Sequence, residues 1–408
     1  MHIAPTRAAL TPSALVFPLA LVLFEFAVYI ANDMVQPAML AVTRDLGVDS
    51  SWVPTSMTAF LLGGALLPWL MGPLSDRIGR RPVMLWGVAL FIVSCLAMLS
   101  VHSITGFIAL RLMQGMGLCF ISAVGYACLQ EAFAEKAAVK VTALMANVAL
   151  LAPLAGPLAG AALIRIWPWQ AGFIVIAALS GLALVGLWFS MPETVQRDRR
   201  PLELAVMLRT YRALLGNRRF MSSTLCIPLL ALPLMGWVAI SPLMLVEACG
   251  LSTRDYSLCQ LPVFGGLILG NLALVHLTER WPLGLSVKVG ALPVVAGMAL
   301  LLAGSGRPLW MVTGMSVMAF GEGLAFAVLY RFALTATAHA KGCVAAGMAM
   351  LCMLCYASGI EMLRRAYLAA GIAGFAAVAM AFALLFCALA LPMVNAAMAE
   401  RAPAPVGA

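Results

Sequence analysis

Apolar runs of about 20 residues, separated by short polar punctuation, recur along the whole chain, and that length matches the hydrocarbon thickness of a bilayer. They are too long and too uniformly apolar for barrel strands, which alternate over about 10 residues. In lipid the backbone must satisfy its own hydrogen bonds, so helices are the expected element. The pattern predicts spans over residues 13–38, 52–74, 82–101, 104–128, 138–164, 168–190, 219–246, 255–278, 284–304, 308–335, 342–367 and 371–396. The expected fold class is an all-α membrane protein of twelve transmembrane helices in two six-helix lobes. Residues 1–190 form the first lobe, 191–218 a linker and 219–408 the second lobe.

Composition agrees. The chain has 408 residues, 63% hydrophobic and 10% charged, where soluble domains carry about 25% charged residues. Mean hydropathy is +1.02. The first span does not read as a cleaved signal peptide. Arg7 alone precedes it as a fixed charge, the run is too long, and no small-residue cleavage site closes it. The ten cysteines are scattered. Cys352 and Cys355 form a CxxC inside an apolar run, where core packing is the expected role rather than metal or redox chemistry. Cys249 and Cys259 flank a predicted outside loop, which leaves a disulfide between them open.

Basic residues set the orientation. With the N-terminus inside, cytoplasmic segments hold eighteen of the 25 Lys and Arg and outside segments six, with Arg111 left within the membrane. The linker is the richest segment: six arginines lie in 191–218, a seventh, Arg219, follows at once, and its middle suits an amphipathic surface helix. Both termini are therefore expected in the cytoplasm. Topology and anionic lipid headgroups explain the net charge of +9, so no nucleic-acid partner is inferred. Arg364 and Arg365 fit this rule poorly.

Two acids interrupt the first span in "FEFAVYIANDMVQPAML", residues 24–40. Charges at mid-bilayer cost several kcal/mol and usually mark an ion or substrate path. Glu25 and Asp33 are eight residues apart, about 12 Å along a helix and about 80° around it. They share a broad face at different depths and do not form an acid dyad. Asp33 follows Asn32 and precedes Pro37, so the helix is expected to break nearby. A carboxyl there either exchanges a proton against a cationic solute or pairs statically with Arg111 or a backbone dipole.

The loop "GPLSDRIGRRPVML", residues 72–85, carries Gly72 for close helix contact, Asp76 to meet an arginine or a helix start, and Gly79 for a tight turn. Arg77, Arg80 and Arg81 mark the cytoplasmic face, and Pro82 starts the next helix. This order, G-x-L-x-D-R-x-G-R-R-P, resembles the signature loop of the major facilitator superfamily. "RLMQGMG", residues 111–117, resembles that family's buried-arginine motif through Arg111, Gln114 and Gly115; the alternative is an Arg111 that snorkels to an interface. In "APLAGPLAG", residues 152–160, Pro153, Gly156, Pro157 and Gly160 bend and pack a helix. They resemble the motif of the family's drug/proton antiporters with twelve spans.

The resemblance implies a secondary transporter, not an enzyme, that exports lipophilic cationic and neutral compounds such as chloramphenicol in exchange for protons. It implies a multi-pass monomer of the bacterial inner membrane, among lipids, with no cofactor and no metal. By the same resemblance, proton coupling falls to Asp33, Glu25 and Arg111. Tyr29, Asn32, Asp33, Glu25, Met57, Met145, Ala149, Leu234 and Met235 line the drug site, and the loop 72–85 closes the cytoplasmic side. Methionine's adaptable side chain suits such a site, and the chain has 26 of them. Glu322, in "AFGEGLAFA", is a third deep acid that the resemblance does not predict: either a further coupling or binding group, or a residue that faces a polar cavity without a role.

Other classes fare worse. No GxxxxGK[ST] occurs around the four lysines, and no HExxH among the four histidines, against a primary pump and a zinc protease. The remaining alternative is a proton-coupled importer of a small metabolite, against which the glycine–proline motif and the acidic first span both speak.

Overall fold

The computed structural model describes residues 15–133, 135–195, 204–277, 280–282, 284–337 and 341–399. The helices are, in order, α1 (Val16–Asp33), α2 (Met39–Asp45), α3 (Thr55–Leu66), α4 (Pro68–Ile78), α5 (Arg80–Ala97), α6 (Ile104–Gly115), α7 (Gly117–Phe120) and α8 (Tyr126–Ala132). Then come α9 (Glu135–Ile164), α10 (Gln170–Ser190), α11 (Leu204–Gly216), α12 (Arg218–Ser241), α13 (Thr253–Leu277), α14 (Leu285–Ala303), α15 (Pro308–Leu334) and α16 (Lys341–Ala399). No strand occurs among the described residues.

Among the described residues nine helical stretches are long and apolar enough to cross a bilayer, and the bent pair α3 and α4 makes a tenth. The long α16 leaves helical geometry at Ala370 and Gly371, where φ of Gly371 is +60°, so it is two passes joined by a turn. With α9 this agrees with twelve spans, and the protein is a multi-pass membrane protein. Observed ends run past the expected ones where polar residues extend a helix: the first span reaches Asp45 and the fourth Ala132.

The chain folds as two compact units, Met1–Met207 and Leu208–Ala408. In the first, α1 packs on α9 and α10, and α3 on α6. In the second, α15 packs on α12, α13 and α14, and α12 also packs on α16. Within the stretch 191–218, the described helix α11 exposes Leu208, Arg209, Arg212 and Leu215 and buries Leu214.

Local chemistry explains the break in the first span. Pro37 has no N–H to offer the carbonyl of Asp33, four residues earlier, and its ring would clash with that carbonyl in a continuing helix. The α-helix therefore ends at Asp33, a 3₁₀ turn covers Gln36–Ala38, and α2 resumes at Met39. Between α4 and α5 the chain turns at Gly79, whose φ of +116° disfavours any side chain. A π-helical turn, Ile121–Gly125, interrupts the fourth span and delivers Tyr126 at the start of α8. Such turns often occur at functional sites.

Candidate functional site

The broken first span exposes carbonyls that need partners. Arg111 of α6 donates from Nη1 to the Ala31 carbonyl, 3.1 Å, and Gln36 donates from Nε2 to the Asn32 carbonyl, 3.3 Å. Arg111 is 0% exposed, which excludes the snorkelling alternative. Its Nε donates to Ser56 Oγ at 3.0 Å and its Nη1 also to Gln114 Oε1 at 2.9 Å. Its guanidinium carbon lies 4.8 Å from the centre of the Phe60 ring, a cation–π distance. Gln114 in turn donates to the Ser94 carbonyl of α5, 3.4 Å. One guanidinium thus joins α1, α3 and α6, and through Gln114 reaches α5.

Arg111 meets Asp33 through Asn32. Its Nη2 donates to Asn32 Oδ1 at 3.3 Å, and Asn32 Nδ2 donates to Asp33 Oδ1 at 3.0 Å. Asp33 is 6% exposed, and no direct ion pair joins it to Arg111 among the described residues. Asn32, expected as a drug contact, uses both ends of its side chain in this relay. Its bridging role could not be read from spacing, because it needs Arg111 from another helix.

Glu25, 1% exposed, accepts a hydrogen bond from Tyr126 Oη at 2.9 Å, while its Oε2 is enclosed without a hydrogen-bond partner among the described residues. The sequence reading gave Tyr126 no role. A tyrosine after a glycine in an apolar run was the only signal.

The glycine–proline segment of α9 sits against the break. A Cβ on Gly156 would lie 2.6 Å from Asp33 Cβ and 3.1 Å from Met34 N. One on Gly160 would collide with the Met34 carbonyl and lie 2.9 Å from Pro37 Cγ. Both glycines and Pro157 are buried; Pro153 is half-buried. The motif's small residues let α9 approach the interrupted backbone that holds Asp33.

Of the other expected contacts, Met57, Met145 and Leu234 are buried, and Tyr29 and Met235 are half-buried. The side chain of Ala149 lies outside the described residues. Gln114 and Gly115 are buried, and a Cβ on Gly115 would collide with the Phe60 carbonyl.

The loop 72–85 is a charge cluster within the first unit. Arg80 Nη2 pairs with Asp76 Oδ1 at 2.8 Å and with Glu131 Oε1 at 2.7 Å, and Arg80 Nε adds a 3.0 Å bond to Glu131 Oε2. Arg80 Nη1 donates to Ser75 Oγ at 2.8 Å, and Thr194 Oγ1 donates to Glu131. Glu193 receives the backbone N–H groups of Arg80 and Arg81 at 2.8 and 3.3 Å. A carboxylate there complements the N-terminal dipole of α5. Arg81 donates to the Trp188 carbonyl, and Arg77 is exposed. Glu131, Glu193 and Thr194 were not foreseen. One expectation is corrected: among the described residues Gly72 makes no close helix contact, since a Cβ there would meet nothing within 4 Å. It lies on a half-buried, open face of α4. Cys249 and Cys259 are free, so no disulfide joins them.

A polytopic helical protein with acids and an arginine buried at a broken span is a membrane transporter rather than an enzyme. Residues 21–360 match the family model described as Major Facilitator Superfamily, and the chain belongs to that superfamily. It is 49% identical over 404 residues to the Multidrug transporter MdfA of Edwardsiella ictaluri (strain 93-146), covering 98% of each chain. It is 52% identical over 366 residues to the Multidrug transporter MdfA of Yersinia pestis bv. Antiqua (strain Angola), covering 89% of this chain and 90% of that one. Among solved structures, a bacterial homolog of the human lysosomal transporter Spinster superposes with a TM-score of 0.72 at 13% identity, over 98% of this chain and 100% of that one, a likeness of fold alone.

Proposed function

We propose that this protein is a proton-driven multidrug efflux antiporter that exports lipophilic cations and neutral compounds, chloramphenicol among them, in exchange for protons. The observation that carries the reading is Asp33: a buried carboxyl at a helix break, hydrogen-bonded through Asn32 to Arg111. The similarity to proteins named Multidrug transporter supports it.

The exchange rests on competition for one carboxyl. A carboxyl withdrawn from water can hold a proton or face a cation, and holding one disfavours the other. Arg111 and Asn32 steady Asp33 without neutralising it through a direct pair. Glu25, with one oxygen held by Tyr126 and the other unpartnered among the described residues, supplies a second negative group. On the N-terminal unit Tyr29, Met57 and Met145 are the proposed apolar drug contacts, with Ala149 added by resemblance. On the C-terminal unit they are Leu234 and Met235. The protein works as a monomer in the bacterial inner membrane, among lipids, with both termini and the segment 191–218 in the cytoplasm. Asp76, Arg80 and Arg81 stabilise one state of the transport cycle.

Efflux with and without a proton gradient tests this reading. Expression should lower ethidium accumulation in cells, and a protonophore should abolish the difference; raised accumulation would indicate an importer. Asp33→Asn removes the exchangeable proton, so uphill efflux should be lost while the protein still inserts. Export of a neutral drug for one proton moves one net charge, worth about 2.3 kcal/mol per 100 mV, and should respond to membrane potential. One-for-one export of a monovalent cation should not. Uphill export by Asp33→Asn at the native rate would remove Asp33 from the coupling role.

A further inference from the structure

A third carboxyl lies deep in the C-terminal unit. Glu322 is 4% exposed, and its Oε2 is enclosed without a hydrogen-bond partner among the described residues. Its neighbours in sequence fix where it points. Gly321 faces α14: a Cβ there would lie 2.5 Å from the Gly290 carbonyl and 2.8 Å from Val294 Cγ2. Gly323 faces α13: a Cβ there would lie 2.5 Å from the Leu267 carbonyl and 2.8 Å from Asn271 N. Successive helical residues are about 100° apart, so Glu322 projects midway between those two directions, on the wider arc. On α16, Tyr356 is 7% exposed and within electrostatic range of Glu322.

Among the described residues the surroundings bring no cation. Tyr356 is the titratable group on the helices packed around α15 that feels the charge of Glu322. Cys226 of α12, Cys259 of α13 and Cys355 of α16 show no interaction with it, and no ion pair joins it to Lys288 of α14, among the described residues. An ion pair held for packing would show its partner, as Arg80 and Glu131 do. An ionised group buried without a partner is too costly to keep for structure alone. The small glycines on either side hold the helix backbone tightly, so Glu322 cannot swing away to water by a shift of α15.

We propose that Glu322 is a second proton-carrying carboxyl, housed in the C-terminal unit and alternately loaded and emptied during transport. The proton is the one partner small enough to reach an enclosed oxygen. It binds the carboxylate from the aqueous phase and leaves to it again, with no other bond made or broken. The proposal rests on the antiport reading and adds a site to it.

The test is proton release by the purified full-length protein in weakly buffered detergent, on addition of the monovalent lipophilic cation tetraphenylphosphonium. By linkage, Glu322→Gln should release about half as many protons per bound cation as the native protein, with its affinity for the cation within about twofold. Glu322→Asp keeps the carboxyl at a shorter reach and should still release protons, with a displaced pH midpoint. This variant keeps the test open if the glutamine form does not fold. Native release by Glu322→Gln, or an undisplaced midpoint in Glu322→Asp, overturns the proposal while leaving antiport intact. A tenfold or greater loss of cation affinity in Glu322→Gln, with chloramphenicol binding unchanged, also overturns it, by making Glu322 a cation contact. No proton release by the native protein would remove the antiport reading and this site together.

Discussion

Asp33 and Glu322 are both buried carboxyls, one on a helix of each unit, and they are surrounded in opposite ways. Asp33 ends a broken helix and connects through Asn32 to an arginine with four hydrogen bonds. Glu322 sits inside an unbroken helix between two glycines, with a tyrosine nearby and no cation among the described residues. The first carboxyl is positioned by a network and the second by backbone packing alone. A polar network can be dismantled one side chain at a time. A packing site can be changed only by moving a helix or replacing the acid.

Removing the network from Asp33 is the strongest way to break this contrast. Arg111→Ala leaves Ser56, Gln114, Asn32 and the Ala31 carbonyl without their donor in a dry interior. Breaking a buried charge network costs about 3–5 kcal/mol, which thermal unfolding in detergent should register. Arg111→Lys should recover only part of the loss, because an ammonium lacks the planar fork. If Arg111→Ala is as stable as the native protein, the network is not what holds the first unit's site.

The next test strikes the packing beside Asp33. Gly160→Ala forces a methyl against the Met34 carbonyl and should cost about 1–3 kcal/mol of stability. Efflux should fall with it, since the break that holds Asp33 must shift. Normal stability and efflux together would show that α9 can withdraw without disturbing the break. The smallest effect is expected from Tyr126→Phe, which removes one hydrogen bond from Glu25 and should change stability by about 0.5–1.5 kcal/mol. Its main readout is drug affinity, expected to change severalfold for a cation and little for a neutral compound. Equal changes for both would place the role of Tyr126 in shape rather than charge.

Much of the fold was legible because its causes are local. Apolar run length gives the spans, and Pro37 dictates the break near Asp33 through a bond it cannot make. The turn at Gly79 and the depth of Glu25, Asp33 and Glu322 follow from single residues in context. The partners were less legible because they come from afar. Arg111 reaches Ser56, 55 positions away, and Ala31, 80 positions away. Glu193 meets the start of α5 from 113 positions away, and no periodicity records that. Gly72 shows the opposite error: a small residue in a motif invites a packing role, yet its face is open.

The close seating of Gly156 and Gly160 on the interrupted helix bears on how such a protein can change over generations. The backbone that carries Asp33 is seated there by glycines, beside the Arg111–Asn32 network and without help from the methionines and the tyrosine proposed to touch drugs. Those side chains can be exchanged one codon at a time under selection by a new compound, and the carboxyl stays where it is. Mutational drift is then expected to widen or redirect the range of exported compounds readily, while substitutions at the two glycines are purged. Surviving variants from laboratory evolution on an unfamiliar toxin should accumulate at the apolar contacts and spare positions 156 and 160.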